Sequence, residues 1–554
     1  MDTKKRLEVA FLWHMHQPYY KDPLTGKYHM PWVRLHGIKD YFPMAALLEK
    51  FDNVKASFNL VPVLIEQIND YANNDATDLL LDLTLKKASH LTHEERSQAL
   101  GNFFKVNFHR FIEPNPRYSD LLMKRGVQNP SPKEIKKAAA AFTTQEFLDL
   151  QVLFNLAWFH SITIEEDINL GDLMVKGRDY TEQDKHYVVF KQREVMSQIL
   201  PLYKKLQDQG TIEITTTPYY HPILPLLCDT EIAKTSGPWM KLPKHKFSHP
   251  EDADWHIREG LRYCDEQFNR RPRGMWPSEG SVSDEVLGLM IANKVDWIAM
   301  DEDILFKSLT HYDKKFKDMS LFDRRLVYQP YKFRKGSKSL GLIFRDKNLS
   351  NMISFSYNSW DQKAAAEDLV SHFKAIREHL RRDADLGLVT IVMDGENAWE
   401  FFADNGRTFF ETLYAHLDGS DSLSSTTVSD FLDRQPPTRT LSHIFPGSWI
   451  NHNFEVWIGQ EQDNVSWEYL YKVRKDLERI TKRLTAKGEG EGEALRRAWQ
   501  ELHIAEGSDW NWWYNGKAHV GNDNPFDPLY RLHLKNIYKI LKKPIPDFLK
   551  ISIA

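Results

Sequence analysis

Thr390-Ile391-Val392-Met393-Asp394-Gly395-Glu396-Asn397-Ala398-Trp399-Glu400 is the stretch on which the fold turns. Four apolar or β-branched residues run straight into two carboxylates, a Gly and a Trp. A short, uniformly apolar run suits a strand buried on both faces of a parallel sheet. Groups that follow such a strand sit at its carboxyl end, where α/β folds place their chemistry. On that reading Asp394 is held at the rim of a barrel or sheet, with Glu396 beside it and Trp399 close by. The bland alternative is an acidic loop whose Trp merely packs.

Outward from this stretch, the chain alternates strands and helices. Leu7 to Trp13 reads as a buried first strand, with His14-Met15-His16-Gln17-Pro18 at its carboxyl end; Lys55 to Leu60 reads as a second. From about residue 75 to 204, apolar residues recur at helical spacing with few strand signals, which predicts a helical insertion forming a lid or side wall. Gly210 ends its last helix, and Thr211 to Thr217 is a β-branched strand followed by Pro218-Tyr219-Tyr220-His221. Further strands are expected at Trp297 to Met300, near Ile343 to Arg345, and at Val389 to Met393. Strands that each end in polar or aromatic residues argue for a βα barrel over residues 1–417. Residues 418–440, rich in Ser, Thr, Asp and Pro, read as a connecting segment, and 441–554 as a mainly helical C-terminal domain.

Composition narrows the function classes. The 554 residues exceed one ordinary core, and the net charge of -4 gives no nucleic-acid or membrane surface. No window reaches the length of a membrane span. The apolar run Val9 to Trp13 is too short for a signal peptide and leads into His and Gln, so a cytoplasmic location is expected. Cys228 and Cys264 are the only cysteines, too few for a disulfide scaffold or a Cys-based zinc site. Sixteen Trp, 22 Tyr and 31 Phe exceed ordinary core needs and point weakly to sugar, whose pyranose rings stack on aromatic faces.

The strand ends present His14, His16, Glu213, Glu279, Asp394 and Glu396. There is no nucleophile elbow, no phosphate loop and no dinucleotide fingerprint. Two carboxylates from separate strand ends suit glycosidic bond cleavage, in which one attacks or stabilises C1 and the other protonates the leaving oxygen. His14-x-His16 puts both rings on one side of a strand, a pattern that also suits metal binding.

Five segments in order then carry a specific resemblance. His14-Met15-His16-Gln17-Pro18, Gly210-Thr211-Ile212-Glu213-Ile214, Trp276-Pro277-Ser278-Glu279, Met393-Asp394-Gly395-Glu396 and Ala505-Glu506-Gly507-Ser508-Asp509-Trp510-Asn511-Trp512-Trp513-Tyr514 resemble the five signatures of glycoside hydrolase family 57. Asn453-Phe454-Glu455-Val456-Trp457-Ile458-Gly459 looks like its amylopullulanase and α-amylase branch rather than its branching-enzyme branch. The resemblance implies a distorted (β/α)7 barrel with an appended helical domain, acting on α-glucan oligo- or polysaccharides with retention. It implies Glu279 as an ionised nucleophile and Asp394 as general acid/base with a raised pKa, their carboxyls roughly 5 to 5.5 Å apart. His14, His16, Glu213 and Glu396 match sugar-binding or pKa-tuning positions, Trp276 and Trp399 walls of the reactive subsite, and Asp509 and Trp512 groups brought over the barrel mouth by the helical domain. Trp32, Tyr219, Tyr220 and Trp360 are candidates for outer subsites. No cofactor is needed for the chemistry and no catalytic metal is assigned, although a structural calcium is compatible with it. Three rivals are a 4-α-glucanotransferase using the same pair, a metal-dependent deacetylase or mannosidase-like hydrolase, and a silent glucan-binding regulator. The metal rivals carry an Asp at the first strand end, where this chain has Trp13 and Gln17.

Overall fold

The computed structural model describes residues 6–126, 130–316, 323–380, 387–396, 398–486, 492–514 and 524–553. Among the described residues ten strands run in chain order: β1 (Leu7–Met15), β2 (Ala56–Leu60), β3 (Ile212–Thr215), β4 (Gly274–Met275), β5 (Trp297–Asp301), β6 (Tyr331–Lys335), β7 (Lys338–Arg345), β8 (Leu388–Asp394), β9 (Leu423–Ser425) and β10 (Arg439–Leu441). β1 and β8 are almost wholly buried along their length, as their unbroken apolar runs require.

Two sheets result. The first has the order β3-β2-β1-β8, with β9 also paired to β1, and every pairing in it is parallel. The second has the order β10-β6-β7-β5-β4, parallel except for the β6–β7 hairpin, which the sequence pattern did not reveal. The sheets meet at two seams. At one, Trp276 N donates to Thr216 O (3.0 Å); at the other, Asp346 N donates to Thr390 O (2.8 Å). Regular ladders stop there because β4 is two residues long and the chain turns away after Arg345. The expected seven-stranded barrel thus resolves, at the level of ladder pairing, into two abutting sheets.

Residues 418–440 depart from the reading as a connecting segment. β9 lies inside this stretch and pairs with β1, and β10 begins at its end and pairs with β6. Its polar residues serve local structure: Thr427 caps a short helix by accepting from Asp430 N, and Ser429 is bound to Glu213. Between residues 75 and 209 the described residues form helices, ending with Glu182–Gln209 and Gly210 in the left-handed conformation (φ 75°) that Gly adopts freely. Helices Glu461–Thr485, Glu493–Ala505, Asp509–Tyr514 and Phe526–Ile540 follow the sheets. No helix among the described residues is long and apolar enough to cross a membrane.

Register sets where chemistry can sit. His14 lies level with Asn59 of β2 and Asp394 of β8, and Asn59 lies level with Thr215 of β3. The carboxyl ends of the first sheet therefore form one rim.

Candidate active site

The rim begins with three histidines. Alternation along β1 aims His14 and His16 to one side, and their rings stack 5.8 Å apart. His221, from the loop after β3, stacks on His16 at 3.9 Å and on His14 at 5.2 Å. Its backbone is left-handed (φ 58°), an unfavourable region for a side chain bearing a Cβ and one that recurs at functional sites. Burial first, and then the neighbouring His16, push His14 down to about 3; burial with His16 and His14 holds His221 well below its ordinary range. Both are therefore neutral near pH 7 and act as hydrogen-bonding groups. His14 Nδ1 is bound to Asn59 Oδ1 (2.7 Å) and His221 Nδ1 to Ser508 Oγ (2.9 Å).

The acids close the space. Gly395 N donates to His14 O (2.7 Å), and a Cβ on Gly395 would meet Met15 Sδ at 2.1 Å. A Cβ there would have to displace the buried Met15 side chain, which favours Gly between Asp394 and Glu396. Glu396 Oε1 accepts from His16 N (3.2 Å), Gln17 Nε2 (3.3 Å) and Tyr41 Oη (3.2 Å). Burial, then the charge of Asp394 and of Asp40, raise Glu396 well above the carboxylate range, with the His16 N–H and Gln17 acting in the opposite direction.

Glu279 enters from the other sheet, in the turn after β4. It too is left-handed (φ 57°, ψ 25°) and is followed by Gly280 with φ 59°. The turn brings its carboxylate under Trp449, whose Nε1 donates to Oε2 (2.7 Å). Burial first and Asp394 second push Glu279 up to about 8, with Trp449 acting in the opposite direction and Asp509 adding a little. This differs from the expectation of an ionised Glu279: burial and Asp394 favour the protonated carboxyl near neutral pH. The side chain nevertheless keeps partial contact with solvent.

The C-terminal helices supply the last wall. Asp509 Oδ1 is 2.8 Å from His16 Nε2, and Ser508 N donates to His221 O (3.0 Å). Trp512, three residues on, is 38% exposed at the rim. Trp276 is buried beside His14 and Trp449, at ring distances of 6.3 and 5.2 Å. Buried atoms without a hydrogen-bond partner gather here: His16 Nδ1, His221 Nε2, Trp276 Nε1 and Glu396 Oε2.

Several expected residues lie elsewhere. Glu213 sits two residues before the rim, on the inner part of β3, and is held by Ser429 N (3.1 Å), Ser429 Oγ and Ser57 Oγ (3.3 Å). It lines a cleft with Lys55, Arg270 and Arg273, none of which belongs to the rim. Trp399 is core: its Nε1 donates to Gly395 O (2.8 Å) and its ring packs among Trp13, Phe402 and Phe410. Tyr219 and Tyr220 are buried against Trp255, and half-buried Trp32 packs against Trp158. His221 and Trp449, conversely, carried no sequence signal beyond an aromatic-rich loop and an isolated Trp.

Two clusters bring together enough donors for a metal: His16, His221 and Asp509, and the buried His256, His503 and Glu506. In the first, the planes of His16 and His221 differ by only 20°. A metal lies in the plane of each imidazole that binds it, and two nearly parallel planes share no point within bonding distance. In the second, His256 Nδ1 accepts from Tyr220 N (3.4 Å), so its proton is on Nε2 and is directed at Glu506 Oε2 (3.0 Å). His256 keeps no lone pair for an ion, which leaves only His503 and Glu506 of that cluster as donors. Both clusters fit hydrogen bonding better than chelation.

Comparison with known proteins gives a consistent picture. The sequence model described as Glycosyl hydrolase family 57 matches residues 10–443. A 1,4-alpha-glucan branching enzyme of Thermococcus kodakarensis is 22% identical over 399 residues, covering 63% of this chain and 56% of that protein, so the match spans little more than half of the relative's length. The crystal structure of a family 57 branching enzyme from the same archaeon aligns with a TM-score of 0.60 at 15% identity, covering 97% of this chain and 90% of that one. An α-amylase from Thermotoga maritima gives 0.57 at 14% identity, with 99% and 98% covered. The 4-alpha-glucanotransferase of Thermococcus litoralis gives 0.50 at 13%, with 97% and 60% covered. Likeness at these identities is likeness of fold.

Proposed function

The chain belongs to glycosyl hydrolase family 57, and from that premise we propose a retaining enzyme of α-glucans that breaks α-1,4 and in some substrates α-1,6 glucosidic bonds. What supports this reading is that Glu279 and Asp394, carried by different sheets, lie near enough for the charge of Asp394 to raise Glu279. Two carboxyls so placed cannot both ionise freely, so they share a proton across the sugar site. In the first step Asp394 gives that proton to the glycosidic oxygen as the C1–O bond breaks, and Glu279 bonds to C1. In the second, Asp394 takes a proton from water, whose oxygen displaces Glu279 from C1 with a second inversion. Attack requires the shared proton to move from Glu279 to Asp394, and the Trp449 N–H assists by favouring the charged form of Glu279.

His14, His16, His221, Glu396 and Asp509 are assigned to the sugar hydroxyls. Unpartnered polar atoms around the site support a hydroxyl-rich ligand, since buried polar atoms are otherwise paired or hydrated. Trp276, wholly buried, backs this subsite behind His14 and Trp449, and Trp512 edges it. We also read the two sheets as halves of a distorted (β/α)7 barrel, β1, β2, β3, β4, β5, β7 and β8 being joined by the two seams, with 75–204 as its insertion and the helices after 441 as the domain that completes the site. The test is product analysis on maltoheptaose and pullulan. Maltooligosaccharides with retained anomeric configuration support the reading; no change in either substrate overturns it. Full activity after exhaustive chelation is expected, and discards the metal-dependent alternative.

A second reading shares the same pair: transfer to a sugar hydroxyl, as the names of the glucanotransferase and branching-enzyme relatives describe for those proteins.

A further inference from the structure

Glu506 stands in the fifth signature, three residues before Asp509, and is only 3% exposed. Its Oε2 meets two ring nitrogens, His256 Nε2 at 3.0 Å and His503 Nδ1 at 2.9 Å. A buried carboxylate needs such partners, and these come from separate parts of the chain. His256 is wholly buried on the helix Pro250–Phe268 and is also bound to the loop after β3. Its backbone O accepts from Tyr219 N (3.0 Å) and its Nδ1 from Tyr220 N (3.4 Å). One imidazole thus joins the loop that carries His221 to the segment that carries Asp509. His503 is fixed in turn by stacking on Trp255 at 3.9 Å, the ring against which Tyr219 and Tyr220 pack.

The two pieces of chain then meet directly. Ser508 N donates to His221 O (3.0 Å), Ser508 Oγ lies 2.9 Å from His221 Nδ1, and a Cβ on Gly507 would stand 2.7 Å from Tyr220 O. Beyond this contact both reach His16: Asp509 Oδ1 is 2.8 Å from its Nε2, and the His221 ring stacks on it at 3.9 Å. Only Gly507 and Ser508 separate Glu506 from Asp509, which opens the helix Asp509–Tyr514, so little chain is available to absorb a shift of Glu506. The left-handed backbone of His221 likewise persists only where its surroundings over-determine it. We propose that Glu506 is a positioning residue. Bound to His256 and His503, it clamps the Asp509 segment to the His221 loop and sets where both groups meet the sugar at His16. The proposal rests on the assignment of Asp509 to a sugar hydroxyl. Glu506 is buried, and its effect on rate passes through the residues it holds.

The test is a double-mutant cycle on the full chain, with Glu506→Ala, Asp509→Ala and the two combined. The quantity read is kcat/KM on maltoheptaose per folded molecule, the folded fraction coming from circular dichroism. Glu506→Ala is expected to lower kcat/KM at least about tenfold on its own, and less than about threefold in the Asp509→Ala background. Glu506→Gln keeps an oxygen for both histidines and should stay within about threefold of wild type. Gly507→Ala removes no partner of Glu506 but drives the segment off Tyr220 O. It passes through the same cycle with the same expectation, and it decides the matter alone if Glu506→Ala does not fold. Equal losses in both backgrounds overturn the proposal, because a merely structural defect multiplies with the loss of Asp509 instead of disappearing into it. Wild-type kcat/KM in a folded Glu506→Ala chain also overturns it, as does a Glu506→Gln loss equal to that of Glu506→Ala. Wild-type kcat/KM in Asp509→Ala overturns the assignment of Asp509 itself, and the clamp with it, a result read without any change at Glu506.

Discussion

Trp449 holds Glu279 twice: its Nε1 donates to Glu279 Oε2 at 2.7 Å and its backbone N donates to Glu279 O at 3.0 Å. The indole lies 4.8 Å from the guanidinium of Arg345, which is itself bound to Asp301 (2.6 Å) and to Val392 O (2.9 Å), two residues before Asp394. One buried cation thus braces the supports of both acids.

Trp449→Phe keeps the ring and the backbone bond but removes the N–H. Glu279 then loses the donor that favours its charged form, so its pKa rises further. We expect kcat/KM on a glucan to fall about 10²-fold and the alkaline limb of its pH profile, near 8 in the wild type, to move upward. A pH–rate series on both proteins measures this; an unchanged limb counts against the role of the indole.

Asp394→Asn separates the roles of the pair. A glucan leaves as an alkoxide unless protonated, whereas a dinitrophenolate needs no acid. Turnover of maltoheptaose is expected to drop about 10³-fold, while cleavage of a dinitrophenyl α-maltoside, read as the initial burst, changes by less than about tenfold. Glu279→Gln abolishes both.

The raised Glu279 also makes stability depend on pH. Its folded value of about 8 lies above the ordinary 4.5, so between those values the folded chain retains a proton that the unfolded chain releases. That contribution is fully present below pH 4.5 and is lost as pH rises toward 8. Glu279→Gln cannot ionise and gains relative stability across this window, by about 2 kcal/mol, less than the full shift because the side chain keeps some solvent contact. Urea unfolding at pH 5 and pH 8 provides the comparison.

Glu213→Leu tests the residue that the fold removes from the site. Ser429 N and Ser57 Oγ lose their acceptor, so unfolding free energy should fall by about 1–3 kcal/mol. Turnover per folded molecule should stay within about twofold of wild type. A selective loss of kcat with unchanged stability would return Glu213 to the catalytic rim.

The sequence by itself determined the class of fold and which polar groups stand at the strand ends. Unbroken apolar runs specify buried strands, period-two alternation makes His14 and His16 neighbours, and carboxylates at strand ends are legible wherever strands are. What only the tertiary structure decided concerns depth and partners. Whether an acid near a strand end reaches the rim depends on register, and Glu213 falls two residues short while Asp394 does not. Which way an indole turns depends on the nearest acceptor, and Gly395 O turns Trp399 into the core. Trp449, His221 and Asp509 meet groups 170, 287 and 493 residues away in sequence, in contacts that chain folding creates and that no local pattern of residues encodes.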